Sequence, residues 1–588
     1  MDHQNNNQKM QHKKSYKKNT SHHATSNQHK KHSQKNNASS GYQKHPRQIN
    51  EAEKRRRAEA RRKKREKQAK KRARRAAREK ALHASMLNQI PDNYIDFFPD
   101  ARKMHRRFVL HIGPTNSGKT YEAIQALKEA GDGIYLAPLR LLAYEKFEQM
   151  NTEGYPCSLV TGEERYLMDR ACYQASTIEM LNLKKHYSCA VIDEAQMVAD
   201  DERGGSWTSA ILGVCANEIH VCMAQNAEQL IIRMIEECGD TYEIVRHERK
   251  TPLICEKEKF YLPDNVMPGD ALIVFSKKNV HAVASELQGK GYKCSVIYGA
   301  LPYDVRHEQA RLFAEGINDV VVATDAIGMG LNLPIRRVCF LEMAKFDGKD
   351  VRDLTSEEIK QIAGRAGRFG IYDEGYVTSL LLRSRVQEAL EEPSEPLAYA
   401  TVGFPESLLG LNAPLLDILR RWSQVKMNVG YKRADTERMI KLCKEISDIS
   451  ENKTFLYDCL TVTFDEGNPW LFRVWKEMCR FEAEEECYPV GKRIPSEHFI
   501  KRIREDLDDL EQQFKLCDLL YSYCDKFDHD EFVEEIIRRK NMISDEIIRV
   551  LAKQRLKPRT CKYCGKVIPW NYRYGVCERC YKKIRGFE

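Results

Sequence analysis

The run RFVLHIGPTNSGKTYEAIQALKEA, residues 107–130, decides the fold. RFVLHIG reads as an apolar strand and SGKTYEAIQALKEA as a helix. Between them GPTNSGKT (113–120) fits G-x-x-x-x-G-K-[ST] in the strand–loop–helix setting that motif requires. The loop Gly113, Pro114, Thr115, Asn116, Ser117 and Gly118 would cradle a triphosphate through the backbone N–H groups of its residues other than Pro114, with the helix N-terminus behind them. Lys119 would reach its β- and γ-phosphates, and Thr120 would ligate Mg²⁺. A chance glycine loop would lack this context. His111, just upstream, reads as a strand residue and not as a catalyst.

Working outward, CAVIDEAQMV (189–198) is a second buried strand that ends in two carboxylates. Asp193 is placed to bind the same Mg²⁺, and Glu194 to orient or deprotonate an attacking water. These two motifs imply an NTP hydrolase, without separating a transporter, a protease ATPase or a nucleic-acid motor. VVATDAIGMGLNLP (321–334) and QIAGRAGRFG (361–370) lie far downstream. Arg365 and Arg368, three apart, are expected on one face of a helical turn, with Gln361 nearby. As arginine fingers they would reach the γ-phosphate across a cleft, which makes hydrolysis depend on domain closure.

The surrounding pattern is α/β. RFVLHIG, GIYLAP, CSLVTG, AVIDEA and IHVCMA form one series of strands. ALIVFS, CSVIYG, DVVVATD, RRVCFLEM and GYVTSLLL form a second, and helices alternate with both. The spacing predicts two tandem parallel-sheet domains, 87–250 and 251–395. Strands fade after residue 396, and a helical domain is expected over 396–557. One helical face there carries Leu408, Leu411, Leu415, Leu419 and Trp422. A coiled-coil-like seam carries Ile500, Ile503, Leu507, Leu510, Phe514, Cys517 and Tyr521, and pairs with a helix at about 530–553 as an antiparallel hairpin. These stripes read as core, not as ligand sites.

The chain has 588 residues, enough for three or four domains, and a net charge of +11. Residues 1–86 hold 27 Lys/Arg against 6 Asp/Glu, a net of +21, which leaves the rest at −10. A basic tail on an acidic body suits a polyanion partner. Residues 1–50 are polar and low in complexity, and disorder is expected there. Residues 51–82 combine helix formers with almost no apolar stripe, so a solvated or ligand-bound helix is expected. No apolar run spans a bilayer, so no membrane partner is expected. The N-terminus lacks a signal-peptide core and is a poor presequence, its first arginine being Arg47. The default expectation is the cytoplasm.

Taken together, GPTNSGKT, APLRLLA (137–143), TGEE (161–164), TIEM (177–180), DEAQ (193–196), TDAIGMG (324–330) and QIAGRAGR (361–368) resemble a superfamily 2 helicase of two tandem RecA-like domains. Their wording is most similar to the mitochondrial degradosome RNA helicase subunit family and its bacterial relatives. HERKTPL (247–253) and YGALPYDVRHEQARLF (298–313) share the likeness, which covers about residues 105–385. That family has a DE-x-Q box, which Gln196 matches. The resemblance implies an ATP-dependent RNA helicase of 3′-to-5′ polarity, with an exoribonuclease as a partner. DNA or hybrid duplexes remain the alternative substrate.

The resemblance also implies residue roles. Pro138, Leu139, Arg140, Thr161, Gly162, Thr177 and Glu179 would lie along the bound strand in the first domain, and Thr324 would touch its backbone in the second. Asp325 and Gly328 would couple that contact to the nucleotide, and Gln196 and Gln361 would face each other across the ATP cleft. MAQNAEQL (223–230) departs from the Gly-Glu-Pro-Ala wording expected in a segment that couples hydrolysis to unwinding. A dead-motor RNA-binding scaffold would predict loss of Lys119, Glu194 or Arg365, and all three are present. AKFDGKDVRDLT (344–355) carries an Asp-Gly turn and is expected to form a hairpin near a duplex fork.

Of 19 cysteines, 15 are scattered and read as buried thiols of a reducing compartment. The other four, Cys561, Cys564, Cys577 and Cys580, have the C-x₂-C-x₁₂-C-x₂-C spacing of one tetrahedral Zn²⁺ in a ribbon- or knuckle-like module, 558–588. A redox pair is the alternative, which a doubled C-x₂-C fits less well. Trp570, Tyr572 and Tyr574, interleaved with Lys566, Arg573, Arg579, Lys582 and Lys583, either stack on bases or fill the module's core.

Overall fold

Apolar strands flanked by helices have few ways to bury both sheet faces, and the chain takes the doubly covered parallel solution twice. The structure, a computed structural model, describes residues 51–588 save 88–90, 92, 163, 329–332, 348–349, 485–487, 554–557, 573–574 and 586–588. The polar run 1–50 therefore lies outside the described residues, as do Glu163, Met329, Gly330, Arg573 and Tyr574.

The chain divides into two units, Met1–Ala77 and Arg78–Glu588. Helix α1 (Glu51–Leu87) starts in the first unit, and every residue of it whose exposure is described is exposed. Its lysines and arginines are good helix formers, and i,i+4 pairs such as Lys63–Glu59 at 2.8 Å add small support. With no apolar face, nothing in its sequence asks for burial.

In the second unit the first sheet contains β1 (Arg107–Ile112), β2 (Gly133–Ala137), β3 (Cys157–Val160), β4 (Arg165–Tyr166), β5 (Tyr173–Thr177), β6 (His186–Ile192), β7 (Cys215–Met223) and β8 (Thr241–Arg246). Their order is β4-β3-β5-β2-β6-β7-β1-β8, parallel except for β4. Helix α2 (Lys119–Glu129) follows β1, and α3 (Arg140–Thr152) follows β2. The second sheet contains β9 (Leu253–Cys255), β10 (Asp270–Ile273), β11 (Cys294–Ile297), β12 (Val320–Ala323), β13 (Arg337–Phe340) and β16 (Gly375–Ser379), all parallel, in the order β11-β12-β10-β13-β16-β9. Between β13 and β16, β14 (Ala344–Phe346) and β15 (Val351–Asp353) pair as the expected antiparallel hairpin. Its tip, Gly348 and Lys349, lies outside the described residues. These are two RecA-like α/β layers with a helical C-terminal region.

That C-terminal region departs from expectation in three places. The face drawn through Leu408 and Trp422 is not one helix. A 3₁₀ turn, Glu406–Gly410, is separated from the helix Leu415–Trp422 by Pro414, which caps the latter. The seam from Ile500 to Tyr521 is likewise broken. Asp506 accepts from the backbone of Asp508 and Asp509 and starts a new helix, Leu507–Lys526, after Glu497–Ile503. Lastly β17 (Ala400–Val402) and β18 (Tyr431–Arg433) form a short parallel pair where helix was expected. Ala400, Val402, Leu408, Ile418 and Trp422 bury into the core of the first sheet, whereas residues from Leu442 onward join that of the second. The hairpin expected from the helices Leu507–Lys526 and Asp530–Ala552 is present.

Candidate active site and nucleic-acid interface

In a parallel sheet the loops after the strands converge at one edge, the usual place for a ligand. Here that edge collects the P-loop after β1, Asp193 and Glu194 after β6, Pro138–Arg140 after β2, Thr161–Gly162 after β3 and Thr177–Glu179 after β5. Adjacency in the order β3-β5-β2-β6-β7-β1 therefore sets both the nucleotide site and the proposed strand path side by side.

The P-loop turns on left-handed residues, Asn116 at φ 62° and Gly118 at φ 93°. Lys119 Nζ donates to the carbonyls of Gly113 (2.6 Å) and Pro114 (2.7 Å). Burial lowers its pKa, against the upward pull of Glu194 and Asp193. Asp193 is buried, and burial, then the Glu194 charge, raise its pKa. It accepts from Tyr135 Oη (2.8 Å), Glu194 N (2.9 Å) and Thr120 Oγ1 (3.1 Å). The last distance is close to the ~2.9 Å between neighbouring ligands of an octahedral Mg²⁺, so the pair fits that ion.

Glu194 takes φ 49°, uncommon for a residue with a side chain. Gln196 Nε2 donates to its carboxylate, while Gln196 Oε1 accepts from Ala224 N at 3.1 Å. The glutamine thus ties Glu194 to the start of the divergent AQNAEQL segment within the same domain. Across the cleft, Gln361 lines a cavity of about 550 Å³ together with Gln196, Glu194 and Ala224.

The second domain closes over this arrangement. The helix Ser356–Ala363 ends at Gly364, so Arg365 and Arg368 lie in the turn beyond it and not on the helical face expected. Both still line one cavity of about 540 Å³ with Thr115–Thr120, Asp193 and Glu194. Arg365 donates to the Gly328 carbonyl (2.5 and 3.0 Å), and its guanidinium comes to 4.0 Å from Glu194. Burial lowers its pKa, against Glu194. A Cβ on Gly364 would lie 2.9 Å from that of Thr115, so the close approach of this turn to the P-loop requires glycine there. Asn116 donates to Gly364 O at 3.0 Å. Arg249 donates to the carbonyls of Thr115 (3.3 Å), Gly364 (2.8 Å) and Ala366.

Among the strand candidates, Arg203 donates both to Pro138 O (2.5 Å) and to Glu179 (2.7 Å). Arg140 is paired with Glu164 at 2.7 Å and lies over the Tyr303 ring, so it faces the second domain. Thr161 Oγ1 accepts from Glu164 N, and Thr324 Oγ1 from Ala326 N (3.3 Å). Asp325 pairs with Lys345 of the hairpin at 3.2 Å. Phe346 and Val351, which pair at the outer end of the described part of the hairpin, are 62% and 73% exposed. Sequence reasoning missed Tyr135, Arg203 and Arg249; only the arginine of HERKTPL lay in a quoted motif.

The thiols of Cys561, Cys564, Cys577 and Cys580 all lie within 4.8 Å of one another, and Cys564 and Cys577 are 3.6 Å apart. Burial pushes the Cys561 thiol up, but backbone N–H groups of Cys577, Cys564 and Tyr563 draw it down to about 6. Hydrogen bonding to Cys564 pushes the Cys580 thiol the other way, up to about 12, so it is the spacing of the four sulfurs that fits Zn²⁺. Trp570 is buried in the core of the second domain, and its backbone N–H lies 3.5 Å from Glu286 Oε2, so the ring packs and does not present a stacking face. Tyr572 packs against the cysteine cluster.

Residues 95–247 match the DEXQ-box helicase domain of Suv3, and residues 257–370 the helicase conserved C-terminal domain. Residues 95–370 are a superfamily 2 helicase motor of the Suv3 DEXQ-box type. This motor is similar to the Arabidopsis thaliana "DExH-box ATP-dependent RNA helicase DExH16, mitochondrial", 41% identical over 56% of this chain and 57% of that protein. It is also similar to the Oryza sativa "ATP-dependent RNA helicase SUV3, mitochondrial", 40% identical over 60% of this chain and 63% of that one. The human "ATP-dependent RNA helicase SUPV3L1, mitochondrial" is 42% identical over 53% of this chain and 41% of its own length. The chain thus spans about half the length of the curated relatives it matches. Every one of these relatives is named mitochondrial, which corrects the cytoplasmic expectation. Among the described residues no helix is long and apolar enough to cross a membrane.

Proposed function

We propose that this chain is an ATP-dependent RNA helicase whose turnover is gated by closure of its two RecA-like domains. The observation that carries the reading is Arg365, which leaves the second domain and stands 4.0 Å from Glu194 over the P-loop. Bound Mg²⁺ and ATP would supply a neutralised triphosphate for in-line attack. Thr120 and Asp193 would hold the metal, Lys119 would leave the loop carbonyls for the phosphates, and Glu194 would orient the attacking water. Arg365 and Arg368 would meet the γ-phosphate only when the cleft is closed.

Pro138, Thr161, Gly162, Thr177, Glu179 and Thr324 would line the strand, and Arg140 would sense the second domain through Tyr303. The relatives' names support RNA as substrate and a mitochondrial site of action. Polarity of 3′-to-5′ and an exoribonuclease partner rest on the motif resemblance. Zn²⁺ in the cysteine cage would hold the small module together. The basic α1 would add phosphate contacts. ATP turnover measured with matched RNA and DNA oligomers tests the reading. Stronger stimulation by RNA is expected, and stronger stimulation by DNA would overturn it.

A further inference from the structure

Three histidines that the nucleotide chemistry leaves unused stand in a row beside the P-loop. His111 comes from β1, His220 from β7, and His247 follows β8. His220 Nδ1 is 2.9 Å from His111 Nε2, and His111 Nδ1 is 3.0 Å from His247 Nε2. At one end Glu218 Oε1 lies 2.9 Å from His220 Nε2, and the same carboxylate is bonded by Arg107. At the other end His247 hydrogen-bonds to the backbone of Ser117 in the P-loop, and Glu122 of α2 comes to 3.5 Å from its Nε2. His111 and His220 are buried.

The hydrogens can be counted. Four gaps, from Glu218 to Ser117, would each take one N–H, and three neutral imidazoles carry three. An ionised Glu218 only accepts, so His220 Nε2 donates to it. His111 has one hydrogen for two gaps; given from Nε2 to His220 Nδ1, it leaves a lone pair on His111 Nδ1. The Ser117 bond favours the protonated ring, so His247 gives it the Nδ1 hydrogen and keeps a lone pair on Nε2. In that tautomer two lone pairs face each other at 3.0 Å, with the Glu122 carboxylate beside them. That gap calls for a cation.

We infer that His111 Nδ1, His247 Nε2 and the Glu122 carboxylate form a site for a divalent transition-metal ion of the zinc class. Its three donor atoms lie within 4.8 Å of one another. Tetrahedral Zn²⁺ with ligands at 2.0–2.2 Å sets donors about 3.3–3.5 Å apart. The observed 3.0 and 3.5 Å straddle that spacing, so little rearrangement is needed. The imidazole–carboxylate donor set suits zinc, cobalt or nickel and not magnesium or calcium. Glu218 and His220 behind His111 supply the outer hydrogen bonds that orient a ligating imidazole. Three protein ligands leave a fourth position for water. This site is distinct from the Thr120–Asp193 pair and from the four cysteines.

Its place gives it a consequence. A Cβ on Gly113 would lie 2.3 Å from the His247 carbonyl, so the P-loop rests directly on His247. A bound ion would join the end of β1, the first turn of α2 and the segment after β8, the three supports of that loop. Metal affinity and nucleotide affinity would then be linked, each altering the other by the same factor.

The test is calorimetric titration of the full chain with Zn²⁺ after one equivalent has filled the cysteine cage. The wild type is expected to take up one further equivalent. Glu122→Gln, at an exposed position on α2, should keep the metal-free melting temperature and weaken that equivalent at least about tenfold. His247→Gln should remove it. The seven histidines of the polar tail offer other places for zinc, and the substitutions distinguish them. No further equivalent in the wild type, or one bound as tightly by both variants, overturns the inference. Should His247→Gln fail to fold, the Glu122→Gln titration decides alone.

Discussion

Glu194 is held from three directions: by its left-handed backbone, by Gln196 on one side, and by Arg365 approaching from the other domain. Gln196 gives the fourth letter of the box a mechanical role, since it joins Glu194 to Ala224 without crossing the cleft. Glu194→Gln should therefore keep nucleotide affinity and lower steady-state ATP turnover by at least about 10²-fold, the size of a lost general base. Near-normal turnover would remove Glu194 from that role. Asp193 makes a pH prediction. Burial, then Glu194, raise its pKa, so the folded chain binds a proton there more readily than the unfolded chain does. Its contribution to stability is present at low pH and is lost as pH rises through its folded value. Mg²⁺ competes with that proton. Mg²⁺–nucleotide affinity measured by calorimetry should hence weaken as pH falls, starting above the ordinary carboxylate range.

At the scale of elements, the hairpin β14–β15 carries the sharpest expectation. Lys345 anchors its base to Asp325 and Glu358, while Phe346 and Val351 stay exposed beyond it. Phe346→Ala should leave RNA-stimulated ATP turnover within about twofold and reduce duplex separation, read in parallel assays; equal loss of both would count against a fork role. The strands that carry motifs were legible because they are buried on both faces, and apolar runs such as AVI and VVVA announce that state. Strand β8 was not, since TYEIVR is largely exposed at a sheet edge. The helix breaks at Pro414 and Asp506 were hidden because apolar spacing runs across a cap residue without interruption. Arg203, Arg249 and Tyr135 were illegible for another reason. Each acts on a residue between 24 and 134 positions away, a contact that only the sheet order creates.

The whole molecule is a pair of RecA-like layers joined by more than the P-loop. The helix Leu507–Lys526 reaches both, through Asp525 to Arg165 of β4 (3.0 Å) and through Glu511 to Lys277 (2.7 Å) and Tyr298 (2.8 Å). Closure of the cleft must therefore move or strain this helix. The cysteine module rides on the second domain through Trp570. Cys561→Ser should lower zinc content by one equivalent per chain in elemental analysis and lower the melting temperature, while ATP turnover by the motor persists. Unchanged zinc content would exclude Cys561 as a ligand. The central claim, that Arg365 couples closure to catalysis, is tested most directly by unwinding of a 3′-tailed RNA duplex in the presence of ATP. The account predicts ATP-dependent strand separation by the wild type and its loss in Arg365→Lys, with ATP turnover down about 10³-fold. Unwinding by Arg365→Lys at the wild-type rate would contradict it.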